Sequence, residues 1–157
     1  MNIRLIAIGK TDNKNLQALL DDYQKRLSFY IKFDLDIIPD IKNVKNLSET
    51  QQKEKEGELI LSKIAATDQL ILLDENGKSF TSVDFAEELQ KKMNTGIKTL
   101  VFAIGGPYGF SEQVYAKAAG KVSLSRMTFS HQMVRLFFIE QLYRGFTILN
   151  NEPYHHQ

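Results

Sequence analysis

The fold is decided by one stretch, which reads Thr99-Leu100-Val101-Phe102-Ala103-Ile104-Gly105-Gly106-Pro107-Tyr108-Gly109-Phe110. Its first six residues are apolar or β-branched, and such a run bounded by turn residues predicts a strand buried on both faces. The Ser111-Glu112 pair that follows predicts a helix start, with a hydroxyl N-cap and an acidic first turn. The glycines therefore lie between a buried strand and a helix, where small ligands bind in open α/β sheets. A plain tight turn is the alternative, but three glycines and a proline within five residues favour a ligand site.

Two familiar phosphate-binding loops do not fit this chain. A dinucleotide-binding loop needs the spacing G-x-G-x-x-G, which residues 105–109 do not have. Residues 77–79 resemble the end of a Walker A loop, but that loop needs a glycine where Leu72 stands. The motifs therefore support neither an NTPase nor a nicotinamide-dependent enzyme.

Strand-like and helix-like segments alternate on both sides of the glycine stretch. Apolar or alternating runs predict three further strands, at residues 3–8, 33–37 and 70–73, the last ending in a turn at 74–77. Helical spacing and capping residues predict five helices. They are expected at about 15–29, from Ser48 onward, at 82–94, from Ser111 to a stop at Gly120, and after His131. An extended piece at 122–129 is expected before the last helix. The alternation predicts an α/β fold with a mainly parallel sheet and one domain over residues 1–157.

The composition describes an ordinary folded domain. The 157 residues suit one core, and 43% of them are hydrophobic while 25% are charged. The net charge of +1 gives no global attraction to nucleic acid, so any such site must be local. The absence of cysteine excludes disulfides, thiolate metal sites and cysteine nucleophiles, and with a strand-like N-terminus it favours a cytoplasmic protein. No apolar stretch approaches ~20 residues, so we expect no contact with a membrane through a spanning helix.

The last predicted helix is apolar around most of its circumference. One face carries Leu136, Ile139, Tyr143 and Phe146, and further apolar residues widen it, with Glu140 as an interruption. A helix of this kind must be covered on two sides. One cover is the sheet, and the other suggests a partner subunit.

Candidate chemical groups gather near the C-terminus. The last 27 residues hold all the histidines, and the same end of the chain carries three arginines and a tyrosine: His131, His155, His156, Arg126, Arg135, Arg144 and Tyr154. Each has a structural alternative, which is a helix cap for His131, ion pairing with Glu140 for two arginines, and a frayed tail for the last histidines. Together, beside a glycine loop, they favour a site for an anionic partner. A metal site is not supported, because adjacent histidines point apart in extended chain and no H-x-x-x-H pair occurs.

Blocks spread along the chain resemble the ribosomal RNA large subunit methyltransferase H family, whose members are small, single-domain SPOUT methyltransferases. The most specific blocks are residues 104–109, 124–131, 134–135, 140–144 and 153–155. Residues 72–74, Gly77-Lys78 and the segment Glu54-Lys55-Glu56-Gly57 extend the resemblance over the whole chain. Each block alone is weak, but together they are highly specific. Ser130 stands where many relatives have proline.

The resemblance implies an activity and a set of partners. The family transfers a methyl group from S-adenosylmethionine to N3 of a pseudouridine in a stem-loop of 23S ribosomal RNA, on the assembled 70S ribosome. It implies a homodimer, which agrees with the apolar last helix, and no metal. It also implies a C-terminal trefoil knot, in which the chain after the glycine loop threads back through a loop. Threaded chains are so rare that periodicity alone never predicts one.

The resemblance also assigns roles to residues. The implied cofactor-binding residues are Leu73, Gly105, Gly106, Leu124, Ser125, Arg126, Met127, Thr128 and Phe129. Close backbone approach at the glycines leaves room for the cofactor, and backbone groups of 124–129 read its adenine edge. The implied catalytic residues are Tyr154, His155 and Arg144. Arg126, His131 and Arg135 are expected to support RNA contacts or the dimer.

Two other functional classes stay open from the residues. One is a non-catalytic nucleotide- or RNA-binding module that keeps the glycine loop as structure. The other is a flavodoxin-like binder of small molecules, which a visible spectrum tests because bound flavin is yellow. Binding of S-adenosylmethionine separates the enzyme from the non-catalytic module.

Overall fold

Five strands form one parallel sheet in the computed structural model, which describes residues 1–156. The strands are β1 (Asn2–Ile8), β2 (Lys32–Ile38), β3 (Gln69–Ser79), β4 (Thr99–Ile104) and β5 (Gly120–Ser123). The helices are α1 (Lys14–Leu27), α2 (Glu49–Ser62), α3 (Ser82–Asn94), α4 (Glu112–Lys117) and α5 (His131–Leu149), with a short 3-10 helix at Val44–Asn46. The strand order is β2-β1-β4-β3-β5, and every neighbouring pair is parallel. The α/β prediction is confirmed, and the sheet is entirely parallel.

The two faces of the sheet are covered by different helices. On one face, Leu5 and Phe102 pack in a core that α1, α3 and α5 complete. On the other face, Ile6 and Val101 pack with apolar residues of α2 and α4. Adjacent residues of a strand point to opposite faces, so a strand covered on both sides is apolar throughout. The continuous apolar run of residues 99–104 has this cause.

Hydroxyl side chains begin several helices as the sequence predicts. Ser48 accepts a hydrogen bond from the N–H of Gln51, whose side chain bonds back to the Ser48 backbone, which confirms the capping box. Ser111 accepts from the N–H of Val114 and caps α4. Helix α5 differs from the expectation, because Ser130 is its cap, accepting from the N–H of Met133, and His131 is its first residue. These caps satisfy N–H groups that lack a partner within the first helical turn.

Three predicted boundaries are wrong. Strand β3 does not end in a turn at residues 74–77 but continues to Ser79 around a bulge, because Leu73 and Lys78 both pair with Val122. Helix α4 ends at Lys117, and Gly120 begins β5 rather than stopping the helix. The chain leaves the helix early because it joins the sheet, with Ala119 N–H donating to Leu70 O. The extended piece predicted at 122–129 is a strand only to Ser123.

Much of the apolar surface of the last helix packs against other parts of the same chain. Helix α5 packs against the sheet and lies beside both α1 and α3. Met133 and Phe137 on α5 are nevertheless 38% exposed each, and Met127 just before the helix is 75% exposed. The apolar character of α5 therefore comes mainly from intrachain packing, with an exposed apolar patch near its first turns. No helix within residues 1–156 has the length and apolar character needed to span a membrane.

Candidate active site

A cavity of about 500 Å³ opens at the carboxyl edge of the sheet. Three parts of the chain form its walls: the bulge of β3, the loop between β4 and α4, and the segment between β5 and α5. Its lining includes Leu73, Asp74, Glu75, Ile104, Gly105, Gly106, Pro107, Tyr108, Gly109, Tyr115, Leu124, Ser125, Met127, Thr128, Phe129 and His131. Parallel strands all end at this edge, so loops that are distant in sequence meet here.

The glycine loop, residues 105–109, forms one wall from backbone. Gly109 N–H donates to Gly106 O at 3.1 Å, which folds the loop back on itself. A Cβ atom at Gly105 would lie 3.1 Å from the carbonyl carbon of Gly109. The closed loop therefore has little room for side chains and presents peptide groups to the cavity.

The opposite wall is the segment of residues 124–130, which has no regular secondary structure. Two serine hydroxyls shape its start: Ser123 Oγ donates to Ser125 O at 2.9 Å, and Met127 N–H donates to Ser125 Oγ at 2.9 Å. Phe129 at its end packs on Phe137 of α5, with ring centroids 4.9 Å apart. These contacts hold an otherwise irregular segment in one shape beside the cavity.

Carboxylates of the bulge in β3 line the cavity. Asp74 accepts a hydrogen bond from the Tyr115 hydroxyl, and burial together with this bond raises the pKa of Tyr115 to about 12. Glu75 is the second carboxylate, and within residues 1–156 no lysine or arginine lines the cavity. The sequence gives no local signal that these acids line a site, because residues 74–77 have the composition of a turn. The lining suits a ligand that carries positive charge.

The structure brings nearly all of the expected cofactor residues to this one cavity. Eight of the nine line it, namely Leu73, Gly105, Gly106, Leu124, Ser125, Met127, Thr128 and Phe129. Arg126 is in the same segment but is not part of the lining. Peptide groups of two loops and apolar side chains thus surround one space, an arrangement suited to a flat aromatic ring with polar edges. The cofactor roles stay predictions.

The expected catalytic residues Arg144, Tyr154 and His155 form a second group together with Glu140, which is called the tail cluster here. Arg144 pairs with Glu140 at 2.6 Å, and its Nη1 lies 3.2 Å from His155 Nδ1. The Tyr154 hydroxyl donates to the same carboxylate at 3.0 Å. Sequence analysis recognised Glu140 only as a possible ion-pair partner, yet it joins Arg144 and Tyr154.

The surroundings of the tail cluster fix the protonation of two groups. The hydrogen bond from Arg144 to Glu140 raises the pKa of the guanidinium, which stays a cation. Burial, a hydrogen bond with Tyr23 and the bond to Glu140 raise the pKa of Tyr154. Tyr154 is therefore a neutral hydrogen-bond donor at physiological pH and not a ready base.

The cavity and the tail cluster lie at different ends of α5. His131 and Val134 at the start of the helix line the cavity, whereas Arg144 lies 10 residues beyond Val134. At a rise of ~1.5 Å per residue, that separation is roughly 15 Å along the axis. None of Arg144, Tyr154 and His155 lines the cavity. Within one chain the two groups of expected site residues are apart.

Arg135 does not support the expected role in RNA contacts. Its side chain is fully buried and donates to Ile8 O at 2.9 Å and to Thr11 Oγ1 at 3.0 Å. Burial lowers the pKa of the guanidinium. The residue ties the start of α5 to the loop after β1, and it does not pair with Glu140. A long basic side chain on an apolar helix gives no signal in sequence that it points inward.

Comparison with known proteins agrees with the geometry. A family model described as "Predicted SPOUT methyltransferase" matches residues 1–155. Proteins named ribosomal RNA large subunit methyltransferase H from Flavobacterium johnsoniae, Flavobacterium psychrophilum and Christiangramia forsetii are 86%, 85% and 66% identical, respectively. Each match covers 100% of both chains. The chain therefore belongs to the ribosomal RNA large subunit methyltransferase H family of SPOUT methyltransferases.

Proposed function

We propose that this protein transfers a methyl group from S-adenosylmethionine to N3 of a pseudouridine in a stem-loop of 23S ribosomal RNA, within the assembled 70S ribosome. The observation that carries the proposal is the cavity at the carboxyl edge, which gathers the glycine loop and the segment of residues 124–130. Full-length identity to ribosomal RNA methyltransferases supports the reaction class. The proposal gives separate tasks to the cavity and to the tail cluster.

The residues of the cavity fit S-adenosylmethionine, which supplies an electrophilic methyl group when bound. Thr128 and Phe129 offer peptide groups to the adenine edge, whereas Met127 N–H already donates to Ser125 Oγ. Leu73 and Leu124 are apolar walls for the faces of the ring. Asp74 and Glu75 offer hydrogen-bond acceptors and negative charge to a cationic ligand. The closed glycine loop leaves the backbone free to approach the ligand. Arg126 does not line the cavity and has no assigned contact with the cofactor in this proposal.

The tail cluster has the groups that the acceptor base requires. N3 of the base must lose its proton, and an anionic ring is stabilised by a nearby cation. Arg144 is a cation held in place by Glu140, and Tyr154 is a neutral donor. His155 is the remaining candidate for accepting the proton. Positioning of two reactants in one geometry supplies ~7–11 kcal/mol of barrier reduction.

A homodimer gives the two groups of residues a way to meet. Cavity and tail cluster are separated along α5 in one chain, so a complete site requires the tail of a second copy. An exposed apolar patch near the start of α5 is available for the contact, and it includes Met127, Met133 and Phe137. We propose that the tail of each subunit reaches the cavity of its partner.

The proposed fold includes a C-terminal trefoil knot. Strand β5 is at the edge of the sheet, yet α5 begins beside the loop that follows β1, beyond β3 and β4. Gln132 Nε2 donates to Lys10 O at 3.3 Å, and Arg135 donates to Ile8 O at 2.9 Å. The chain after β5 thus crosses over the glycine-loop end of the sheet. This path supports the proposed threading.

Recognition is proposed to depend on the ribosome as a whole. The net charge of +1 provides little of the phosphate attraction on which binding to free RNA depends. A target presented on a ribosome adds shape and protein contacts that a bare stem-loop lacks. This proposal also makes the protein cytoplasmic, where its substrate is.

The test is methyl transfer from tritiated S-adenosylmethionine to 70S ribosomes, free 50S subunits and naked 23S RNA. We expect label on 70S ribosomes alone. The matched variants are His155→Ala, which should reduce the label, and His156→Ala, an exposed neighbour that should not. Cofactor binding without transfer to any of these substrates would point to a missing modification of the target or to a different RNA, and would refute the proposed substrate. Absence of cofactor binding would refute the methyltransferase.

A further inference from the structure

A buried carboxyl group that the proposed chemistry does not use lies directly beneath the glycine loop. Glu56 of α2 is only 3% exposed, and its Oε1 is buried without a hydrogen-bond partner among the described residues. Its carboxyl carbon would lie 2.7 Å from a Cβ atom built on Gly106, and both carboxylate oxygens would overlap that atom. Gly106 itself lines the cavity. One glycine residue therefore separates this carboxyl group from the cavity.

The helix that carries Glu56 is fitted closely to the loop. A Cβ atom at the next residue, Gly57, would overlap Ser111 Oγ and lie 3.1 Å from Val114 Cγ2. Ser111 is the N-cap of α4, at the far end of the segment that begins with the glycine loop. The pair Glu56-Gly57 thus touches both ends of this segment, which fixes the distance between carboxyl group and cavity.

The charge of Glu56 is not neutralised by an ion pair. Within residues 1–156 it forms no salt bridge, and the buried Arg135 donates instead to Ile8 and Thr11. Burial and the nearby carboxylate of Asp40 raise the pKa of Glu56, partly opposed by the side chain of Gln52. A buried carboxyl group without a partner destabilises the fold, so its presence beside a ligand cavity indicates a function there.

We propose that Glu56 is a specificity-determining residue, whose buried negative charge beneath Gly106 favours the cationic S-adenosylmethionine over its uncharged thioether product, S-adenosylhomocysteine. The inference rests on the cofactor proposed above. Glu56 does not touch the ligand and acts through its electric field, which the surrounding low dielectric preserves. The sulfonium charge is lost when the methyl group leaves, so the same field favours release of the product. At an effective dielectric near 20, a separation of roughly 12 Å corresponds to a preference of about tenfold, and a shorter separation to a larger one.

The experiment is calorimetric titration of both ligands into the full-length protein and into three variants. Glu56→Gln keeps the shape of the side chain and removes its charge, whereas Glu56→Asp keeps the charge. Glu58→Gln is the matched control, because Glu58 is exposed on the same helix. We expect Glu56→Gln to reduce the preference for S-adenosylmethionine by roughly tenfold. Glu56→Asp should retain the preference even where both affinities fall, and Glu58→Gln should change neither affinity.

The ratio of the two affinities separates a charge effect from a structural one. If Glu56→Gln weakens both ligands equally, or leaves the ratio unchanged, Glu56 serves the loop only as packing and the inference is refuted. Thermal unfolding of each variant verifies that the compared proteins are folded. A wild-type protein that binds neither ligand would refute the cofactor itself, a result distinct from an unchanged ratio.

Discussion

Substitution of Gly106 by alanine tests the contact between α2 and the glycine loop. The new methyl carbon would lie 2.7 Å from the carboxyl carbon of Glu56, whereas comfortable carbon contacts begin near ~3.5 Å. The carboxyl group or the loop must therefore move by about 1 Å. Overpacking of this kind typically costs ~1–3 kcal/mol. For a domain of this size, each kcal/mol lowers Tm by ~2–4 °C, so we expect Gly106→Ala to lower Tm by ~2–12 °C.

The assay is urea unfolding of single and double variants. Gly120→Ala is the control, since its Cβ would meet only Ile71 Cδ1 at 3.6 Å, an ordinary contact. We expect Gly120→Ala to be close to neutral. Glu56→Ala removes the carboxyl group, so Gly106→Ala should cost little in that background. The double-mutant cycle should therefore give a coupling free energy of about 1 kcal/mol or more. Additivity within about 0.5 kcal/mol would refute the contact and with it the geometry on which the role of Glu56 depends.

Three further predictions concern Tyr154, Glu56 and Tyr115. Tyr154→Phe removes the hydroxyl that donates to Glu140 and should slow single-turnover methyl transfer by at least about tenfold. The cofactor affinity measured by calorimetry should stay unchanged, and a normal rate would exclude the hydroxyl from the reaction. The pKa of Glu56 is raised in the folded state, so the carboxyl group does not destabilise the fold below its unfolded pKa and destabilises it increasingly as pH rises to its folded pKa. Across that pH window Glu56→Gln should gain stability relative to wild type, and a pH-independent difference in urea unfolding would contradict this. Tyr115→Phe loses the hydrogen bond to Asp74 and should lower the free energy of unfolding by roughly 1 kcal/mol, whereas an unchanged urea midpoint would show that the bond adds nothing.

Local signals in the sequence predicted the centre of the fold well. Residues 99–112 contain a buried strand, a glycine loop and a capped helix start, and each depends on residues adjacent in sequence. The boundaries that failed depend on distant partners. Gly120 is a typical helix stop when only its neighbours in sequence are considered, but in the structure it begins β5, which pairs with β3. The bulge in β3 likewise arises from pairing with Val122, which no local pattern indicates.

The site was predicted less completely than the fold. The resemblance identified residues that the structure gathers at the cavity, because motifs mark the loops that end the strands. It gave no geometry for the tail cluster, and it assigned no role to Glu56. The neighbour of Glu56 is Gly106 and that of Gly57 is Ser111, each about fifty residues away in sequence, and only the packed fold brings them together. Arg135 was misassigned for the same reason, since its partners Ile8 and Thr11 are at the other end of the chain.

The bonds between α5 and the loop after β1 have a consequence for the order of folding. Lys10, Thr11 and Ile8 are 122, 124 and 127 residues away from their partners in α5, which are Gln132 for Lys10 and Arg135 for the other two. Contacts between such distant segments close late and slow the folding of a domain, since a long chain segment must be confined first. The cavity also needs α5, because His131 lines it. A newly made chain thus has no complete cavity until α5 has formed and its start has packed against the loop after β1, so the site for a ligand matures at a late step of folding.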